Sequence, residues 1–137
     1  MAEYLLDTDH LSYIQERHPQ VLARLGSLSA DAQVFTSVVN VAELLRGVFL
    51  MPEGRRKREL LQLYRQVIGS AGDVLPLTLP VGEQFAETDA ALRQKGRPIP
   101  INDVWIAALA LVRGAVLVTN DAHFSNVEGL ATENWTV

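Results

Sequence analysis

Four carboxylates that lie far apart in the chain are the residues best suited to chemistry: Asp7, Glu43, Asp103 and Asp121. Carboxylates that are brought together repel one another and raise one another's pKa, unless a divalent cation neutralises them. Mg2+ is the expected ion, with Mn2+ as the alternative, because hard cations prefer oxygen ligands and keep several waters for substrate or nucleophile. Such a site would perform metal-assisted hydrolysis.

Each acid also has an ordinary structural explanation. Aspartate is a common cap and turn residue, so Asp7 and Asp9 could cap the helix that follows the first strand. In the same way, Asp103 could cap a later helix and Asp121 could shape a turn. Glu43 lies in an apolar helical segment, where it could occupy the exposed face. Their joint placement favours one shared crevice, because two of the acids end strands, one begins a helix, and Glu43 lies inside the helix that follows the second strand.

The acids can meet only if the segments between them fold around one sheet. Short apolar runs alternate with helical patterns, which is typical of an α/β domain with a mostly parallel sheet. Strands are predicted over residues 4–6, 33–36, 74–77, 115–119 and 132–135. Helices are predicted from the first strand to about residue 17 and over residues 19–26, 38–51, 55–68, 81–95 and 103–113. The crevice of such a sheet lies beyond the carboxyl ends of its strands, where Asp7 and Asp121 fall.

Three of the helix ends carry recognisable signals. Ser37 is expected to cap the helix over residues 38–51, and Gly114 is expected to end the last helix. Asn102 or Asp103 is expected to cap the start of that last helix.

Length and composition limit the possible classes of protein. The 137 residues, 48% hydrophobic and 20% charged, suit one globular domain. The chain contains no cysteine, which excludes a thiolate zinc site and a cysteine nucleophile. Its start lacks a basic segment, and its longest apolar run, nine residues from Val104 to Val112, is too short to span a membrane. We therefore expect a cytoplasmic protein without a membrane segment.

Basic residues are concentrated in one place. The net charge of -4 argues against binding nucleic acid through overall charge. Four consecutive basic residues, Arg55, Arg56, Lys57 and Arg58, nevertheless begin a predicted helix. They are either an ordinary solvated helix start or a contact for RNA or a protein partner.

The three histidines, His10, His18 and His123, show no paired spacing of metal ligands. We expect each of them at the surface or beside the ligands.

Four segments in order carry a pattern that extends over nearly the whole chain: LLDTD at 5–9, AELLRG at 42–47, INDVWIAA at 101–108 and LVTNDAHF at 117–124. The pattern resembles PIN-domain ribonucleases and, by size and motif, the VapC-type toxins of bacterial toxin-antitoxin pairs. The resemblance implies a single PIN domain over residues 1–137 with about five strands, and a homodimer. It also implies an RNA substrate and an antitoxin whose C-terminal segment lies across the crevice.

The resemblance implies a role for each acid. Asp7 and Asp103 would be the main ligands of Mg2+ or Mn2+, and Glu43 and Asp121 would complete the site by orienting metal-bound water or a second ion. The position of Asp9 is often Asn in such toxins, so a fifth carboxylate could lie beside the metal. Residues expected to support the ligands are Asp9, Arg46, Thr119 and Asn120.

Two other functions fit parts of the sequence. A haloacid-dehalogenase-like phosphatase would use Asp7 as nucleophile and Asp9 as acid, but it also needs a lysine beside the phosphate. The only lysines, Lys57 and Lys95, lie in charged helical stretches, and Glu43 would have no role. The second alternative is a non-catalytic PIN-like module that binds RNA or protein, against which only the intact set of acids argues.

Overall fold

A sheet of five parallel strands carries the predicted site. The computed structural model describes residues 2–70 and 72–137. The strands are β1 (Glu3–Leu6), β2 (Gln33–Ser37), β3 (Val74–Leu75), β4 (Val116–Val118) and β5 (Thr132–Glu133). Their spatial order is β3-β2-β1-β4-β5, and each of the four neighbouring pairs is parallel. The predicted five-stranded α/β sheet is therefore confirmed.

Helices lie against both faces of this sheet. They are α1 (Thr8–Gln15), α2 (Pro19–Gly26), α3 (Val38–Phe49), α4 (Arg55–Ser70), α5 (Leu79–Gln94) and α6 (Ile101–Arg113), followed by a 3-10 turn over Ala122–Asn126. Across residues 2–70 and 72–137, no helix is both long enough and apolar enough to cross a membrane.

The core has two parts because successive side chains of a strand point to opposite faces of the sheet. Leu5 of β1 and Leu117 of β4 belong to the part that includes α5 and α6. Leu6 and Val118 belong to the other part, with side chains from α1, α2 and α4. Trp135, which follows β5, is also buried in this second part. The two central strands thus hold both layers of helices together.

The order of the strands places the predicted crevice at the centre of the sheet. From β1 the chain moves outward to β2 and β3, and it later returns to the other side of β1 as β4 and β5. The direction of winding therefore changes between β1 and β4, which is where α/β sheets form binding crevices. Asp7 directly follows β1, and Thr119 directly follows β4.

Some element ends agree with the sequence and others do not. Ser37 caps α3 by accepting a hydrogen bond of 3.2 Å from the Asn40 N–H, and Gly114, at φ 69°, ends α6. The predicted cap of α6 is wrong: Pro100 occupies the N-cap position, and no side-chain hydrogen bond caps the helix. Asn102 and Asp103 instead lie inside the first turn. Their side chains are therefore available for other contacts.

Two further element boundaries differ from the predicted ones, and in both cases a proline is the reason. β3 contains two residues rather than the predicted four, and it ends before Pro76, which has no N–H to donate to a neighbouring strand. α5 begins at Leu79, two residues before the predicted start at 81, because Pro80 fits the first turn of a helix.

Candidate metal centre

The four predicted carboxylates line one cleft at the carboxyl ends of β1 and β4. Asp7 and Asp121 follow these two strands, Glu43 comes from α3, and Asp103 comes from the first turn of α6. The cleft has a volume of about 210 Å³, and its lining consists of Asp7, Thr8, Asp9, Glu43, Asp103, Ile106, Asp121 and Phe124. The structure therefore brings together all four acids and also Asp9.

Asp7 is the most buried of the acids that line the cleft, and three neighbouring groups contact its carboxylate oxygens. The backbone N–H and the Nδ1 atom of His10 both lie 3.2 Å from Asp7 Oδ1, and the Thr119 hydroxyl donates to Oδ2 at 2.5 Å. The backbone contact also makes Asp7 the N-cap of α1. The capping role and the place in the cleft are thus compatible, because one carboxylate has enough lone pairs for both.

Glu43 is held at both of its carboxylate oxygens. The Thr8 hydroxyl donates to Oε1 at 2.7 Å, and the Asn102 amide donates to Oε2 at 3.3 Å. The buried Asn40 amide in turn donates to Thr8 Oγ1 at 3.3 Å. These contacts show that Glu43 faces the cleft and not the exposed side of its helix.

Asp103 and Asp121 meet at a histidine that the sequence did not single out as a ligand. His123 Nδ1 lies 3.3 Å from Asp103 Oδ2 and 3.2 Å from Asp121 Oδ1. One possible ligand atom from each of these three residues lies within 4.8 Å of the other two. Asp121 also caps the 3-10 turn by accepting the His123 N–H at 2.9 Å. The turn therefore places an imidazole nitrogen beside two carboxylates.

The acids influence one another electrostatically. Burial is the main reason that the pKa values of Asp9 and Asp103 lie above the ordinary value for aspartate. The charges of Glu43 and Asp121 raise the pKa of both residues further, and Asp7 adds to the effect on Asp9. The repulsion predicted from the sequence is thus present at these two residues. A divalent cation would relieve it.

The donor set of the cleft fits a hard divalent cation. The side chains that line it offer carboxylate oxygens from five residues, two of them on a neighbouring pair of strand ends. Its lining contains no lysine or arginine that would compete with a cation. Carboxylate oxygens are the ligands that Mg2+ and Mn2+ prefer, and an imidazole nitrogen is also acceptable to Mn2+.

The residues predicted to support the ligands do so unequally. Thr119 contacts Asp7 directly and also accepts the Asp121 N–H at 3.0 Å, so it links two of the acids. Asn120 donates instead to the Tyr13 hydroxyl at 2.8 Å. Arg46 lines a separate groove of about 350 Å³, which shares Glu43 with the cleft.

The four residues of the basic run differ in their contacts. Arg55 and Lys57 each contact a glutamate, at 2.7 and 2.5 Å. Arg56 and Arg58 are exposed, and Arg58 shares a shallow surface groove on α4 with Arg65. A contact of these four residues with RNA or a partner stays a prediction.

Several supporting residues were missed because they are identified by contacts and not by motifs. Asn40 precedes Glu43 by three positions, so the two share a helix face, and this spacing was an available signal. Thr8 was missed although it directly follows Asp7, and for His10, expected at the surface or beside the ligands, nothing in the sequence decided between the two places. The contact between Asn102 and Glu43 joins two residues that lie 59 positions apart, on different helices.

Comparison with known proteins agrees with this architecture. A model of the PIN domain family matches residues 4–130. The chain is 30% identical over 135 residues to ribonuclease VapC1 of Haemophilus influenzae strain R2866, an alignment that covers 97% of this chain and 98% of that protein. It is 33% identical over 134 residues to plasmid stability protein StbB of Pseudomonas syringae pv. tomato, covering 95% of this chain and 96% of that protein.

Solved structures give the same result. VapBC-1 from nontypeable Haemophilus influenzae contains a chain with a TM-score of 0.86 and 26% identity, covering 98% of this chain and 99% of that chain. FitAcB from Neisseria gonorrhoeae contains one with a TM-score of 0.80 and 31% identity, covering 96% of this chain and 97% of that chain. The family match, the sheet order and the set of acids agree with one another, and the chain belongs to the PIN domain family.

Proposed function

We propose that this protein is a metal-dependent endoribonuclease and the toxin of a toxin-antitoxin pair. The observation that carries the proposal is the convergence of Asp7, Glu43, Asp103 and Asp121 on one cleft. Support also comes from relatives named ribonuclease VapC and from similar chains in solved VapBC complexes. The proposed reaction is hydrolysis of an RNA phosphodiester bond.

Asp7 and Asp103 are the proposed main ligands of Mg2+, or of Mn2+ in its place, and Glu43 and Asp121 are proposed to complete the site. When bound, such an ion would activate a water and neutralise charge on the phosphoryl oxygens. The protein's own contribution is to hold the carboxylates in place. Both oxygens of Asp7 and both oxygens of Glu43 accept hydrogen bonds from neighbouring groups. These hydrogen bonds support the proposed role, because they restrict rotation of the carboxylate groups.

Asp9 and His123 are proposed to adjust the site. Asp9 adds a fifth carboxylate, and its raised pKa is what a residue among like charges is expected to have. His123 lies within 3.3 Å of Asp103 and within 3.2 Å of Asp121, so it can shield these two acids from each other.

We propose that the domain takes in the whole of residues 1–137. Two features beyond the matched residues 4–130 support this extent. β5 pairs with β4, and the Trp135 side chain is buried with only 2% exposed.

A homodimer and an antitoxin are the proposed partners. Exposed apolar side chains close to the groove that contains Arg46 support a protein interface there: Val38, Leu77, Leu79 and Ile101. The acidic cleft would attract a basic segment of an antitoxin, in agreement with the VapBC complexes among similar structures. The proposed place of action is the cytoplasm, where the RNA substrate is made and used.

The alternatives have less support. A phosphatase that uses Asp7 as nucleophile needs a lysine by the phosphate. However, Lys57 contacts Glu53 and the Phe49 carbonyl, and Lys95 lies 3.7 Å from Glu128. A non-catalytic binding module would leave the convergence of the four carboxylates on one cleft without a role.

Incubation of the purified protein with structured RNAs and Mg2+ tests the proposal. We expect cleavage that EDTA and Asp103→Asn each abolish. Asp73→Asn, which changes an exposed aspartate outside the cleft, is the matched control and should leave cleavage intact. Cleavage that survives both EDTA and Asp103→Asn would contradict the mechanism. Metal binding without cleavage of any RNA would favour the binding module, and a phosphoaspartate trapped on Asp7 would favour the phosphatase.

A further inference from the structure

His10 is a completely buried polar residue directly beneath the cleft. Its side chain is 0% exposed, and the mechanism above assigns it no chemical step. A buried imidazole is costly unless both of its nitrogens have hydrogen-bond partners. Nδ1 lies 3.2 Å from Asp7 Oδ1, and Nε2 lies 3.4 Å from the backbone nitrogen of Trp135. Both nitrogens therefore have partners, and one of these is a proposed metal ligand.

The second contact determines which nitrogen carries the proton. A backbone N–H can only donate, so Nε2 of His10 must accept from Trp135. The ring proton consequently lies on Nδ1, which is then the donor to Asp7. The fold thus orients the imidazole so that its N–H points at the carboxylate.

Aromatic neighbours fix the plane of this ring. Tyr13 and Trp135 contact it edge-on, with ring centroids 5.3 and 6.4 Å from that of His10. Trp135 is itself packed against Tyr4 of β1 at 5.5 Å. Rotation of the imidazole away from Asp7 would disturb these contacts.

We infer that His10 is a positioning residue, which holds the Asp7 carboxylate for metal binding and links the metal centre to the C-terminal segment through Trp135. The inference rests on the proposed function, because it assumes that Asp7 is a ligand. Hydrogen bonds from inside the protein leave the outward lone pairs of Asp7 for the metal. Partners of this kind commonly change metal affinity by about 10- to 100-fold when they are removed.

The position of the ring proton is the first test, and it uses the parent protein. Long-range 1H–15N correlation spectra of 15N-labelled protein distinguish the two tautomers of histidine. The His10 signals are assigned by their absence in His10→Asn. We expect the proton on Nδ1, and a proton on Nε2 would overturn the inference.

A matched pair of substitutions tests the function of the contact. Asn at position 10 can place an amide nitrogen near the position of Nδ1, where it still donates to Asp7. Gln can place its amide oxygen near the position of Nε2, where it still accepts from Trp135. Mn2+ affinity is measured by calorimetry for both variants, with circular dichroism to establish that they are folded. We expect His10→Asn to stay within about 3-fold of the parent and His10→Gln to bind about 10-fold more weakly.

His18→Gln is the control, since His18 caps α2 and lies outside the cleft. It should lower stability without changing Mn2+ affinity. Parent-like affinity in His10→Gln, or equal losses in both His10 variants, would overturn the positioning role and leave only a packing role. Failure of the proposed function has a different signature, because the parent protein itself would then neither bind Mn2+ nor cleave RNA.

Discussion

Asp7 and Glu43, on one side of the cleft, accept hydrogen bonds at both carboxylate oxygens, whereas Asp103 and Asp121, on the other side, are joined mainly through His123. The Asp7 side chain is 9% exposed and that of Asp121 is 38% exposed. The first side is therefore fixed by the fold before any metal binds. The second side can adjust to the ion, because fewer contacts restrain it.

The difference separates two tasks that one set of acids must perform. Asp7 contributes both to the folding of α1, as its cap, and to the cleft. Pro100 occupies the N-cap position of α6, so Asp103 does not cap this helix. Its main contribution to the cleft is negative charge. Substitutions on the two sides should thus have the same effect on activity and opposite effects on stability.

Loss of activity is the largest effect and should be common to both sides. Asp7→Asn and Asp103→Asn should each reduce RNA cleavage by more than about 100-fold, beyond the loss typical of residues that only support a ligand. Initial rates of cleavage with Mg2+ measure this. A large loss in only one of the two variants would show that the other side is not required for the reaction.

Metal binding should stabilise the parent protein through both sides. At a Mg2+ concentration of 100 times Kd, the free energy of unfolding should rise by about 2.7 kcal/mol, because the ion binds the folded state. Asp103→Asn should gain much less. Denaturant titrations with Mg2+ and with EDTA measure the difference, and an equal gain in Asp103→Asn would exclude this residue as a ligand.

Removal of charge from the fixed side should destabilise the protein without metal. Asp7→Asn should lower the free energy of unfolding by about 1 to 3 kcal/mol, since an amide group cannot accept all of the donors that surround the carboxylate. Urea denaturation in EDTA tests this. Unchanged stability would mean that repulsion among the acids outweighs these hydrogen bonds.

The adjustable side should show the smallest effect, with the opposite sign. Without metal at pH 7, Asp103→Asn should raise Tm by less than about 5 °C. Burial and neighbouring charges raise the pKa of Asp103 in the folded state, so its ionised form opposes folding. This destabilisation is fully present above the raised pKa and disappears as the pH falls below the ordinary aspartate pKa of 3.8.

Thermal denaturation of parent and variant over this range of pH measures the effect. The two Tm values should converge as the pH approaches the ordinary aspartate pKa of 3.8. A variant that is less stable than the parent at pH 7 would show that Asp103 has a structural role that its contacts do not reveal.

The elements and the four acids were predictable because they depend on local pattern and on the general geometry of α/β sheets. β1 and β4 are apolar runs, Asp7 directly follows β1, and Asp121 lies three residues after the end of β4. The start of α6 was predicted wrongly because Asn102 and Asp103 resemble cap residues, whereas Pro100 takes that position. A local pattern could not decide between these candidates.

The partners of the acids were not predictable for a different reason. His10 appeared as a single histidine without paired spacing, and its partner Trp135 lies 125 positions away in the sequence. Thr119 was expected near the ligands from the family resemblance, but the link that it forms between Asp7 and Asp121 depends on the pairing of β1 with β4. Contacts of this kind are set by the tertiary structure.

The pairing of β1 with β4 also determines when the cleft can form during synthesis. Asp7 is made before its partner Thr119, which follows 112 residues later. At about 5 to 20 residues per second, several seconds separate the synthesis of these two residues on the ribosome. The cleft therefore cannot assemble on a nascent chain until β4 and the following turn have left the ribosome. If the chain is a toxin, an antitoxin that was made earlier is already present when the ribonuclease site first forms.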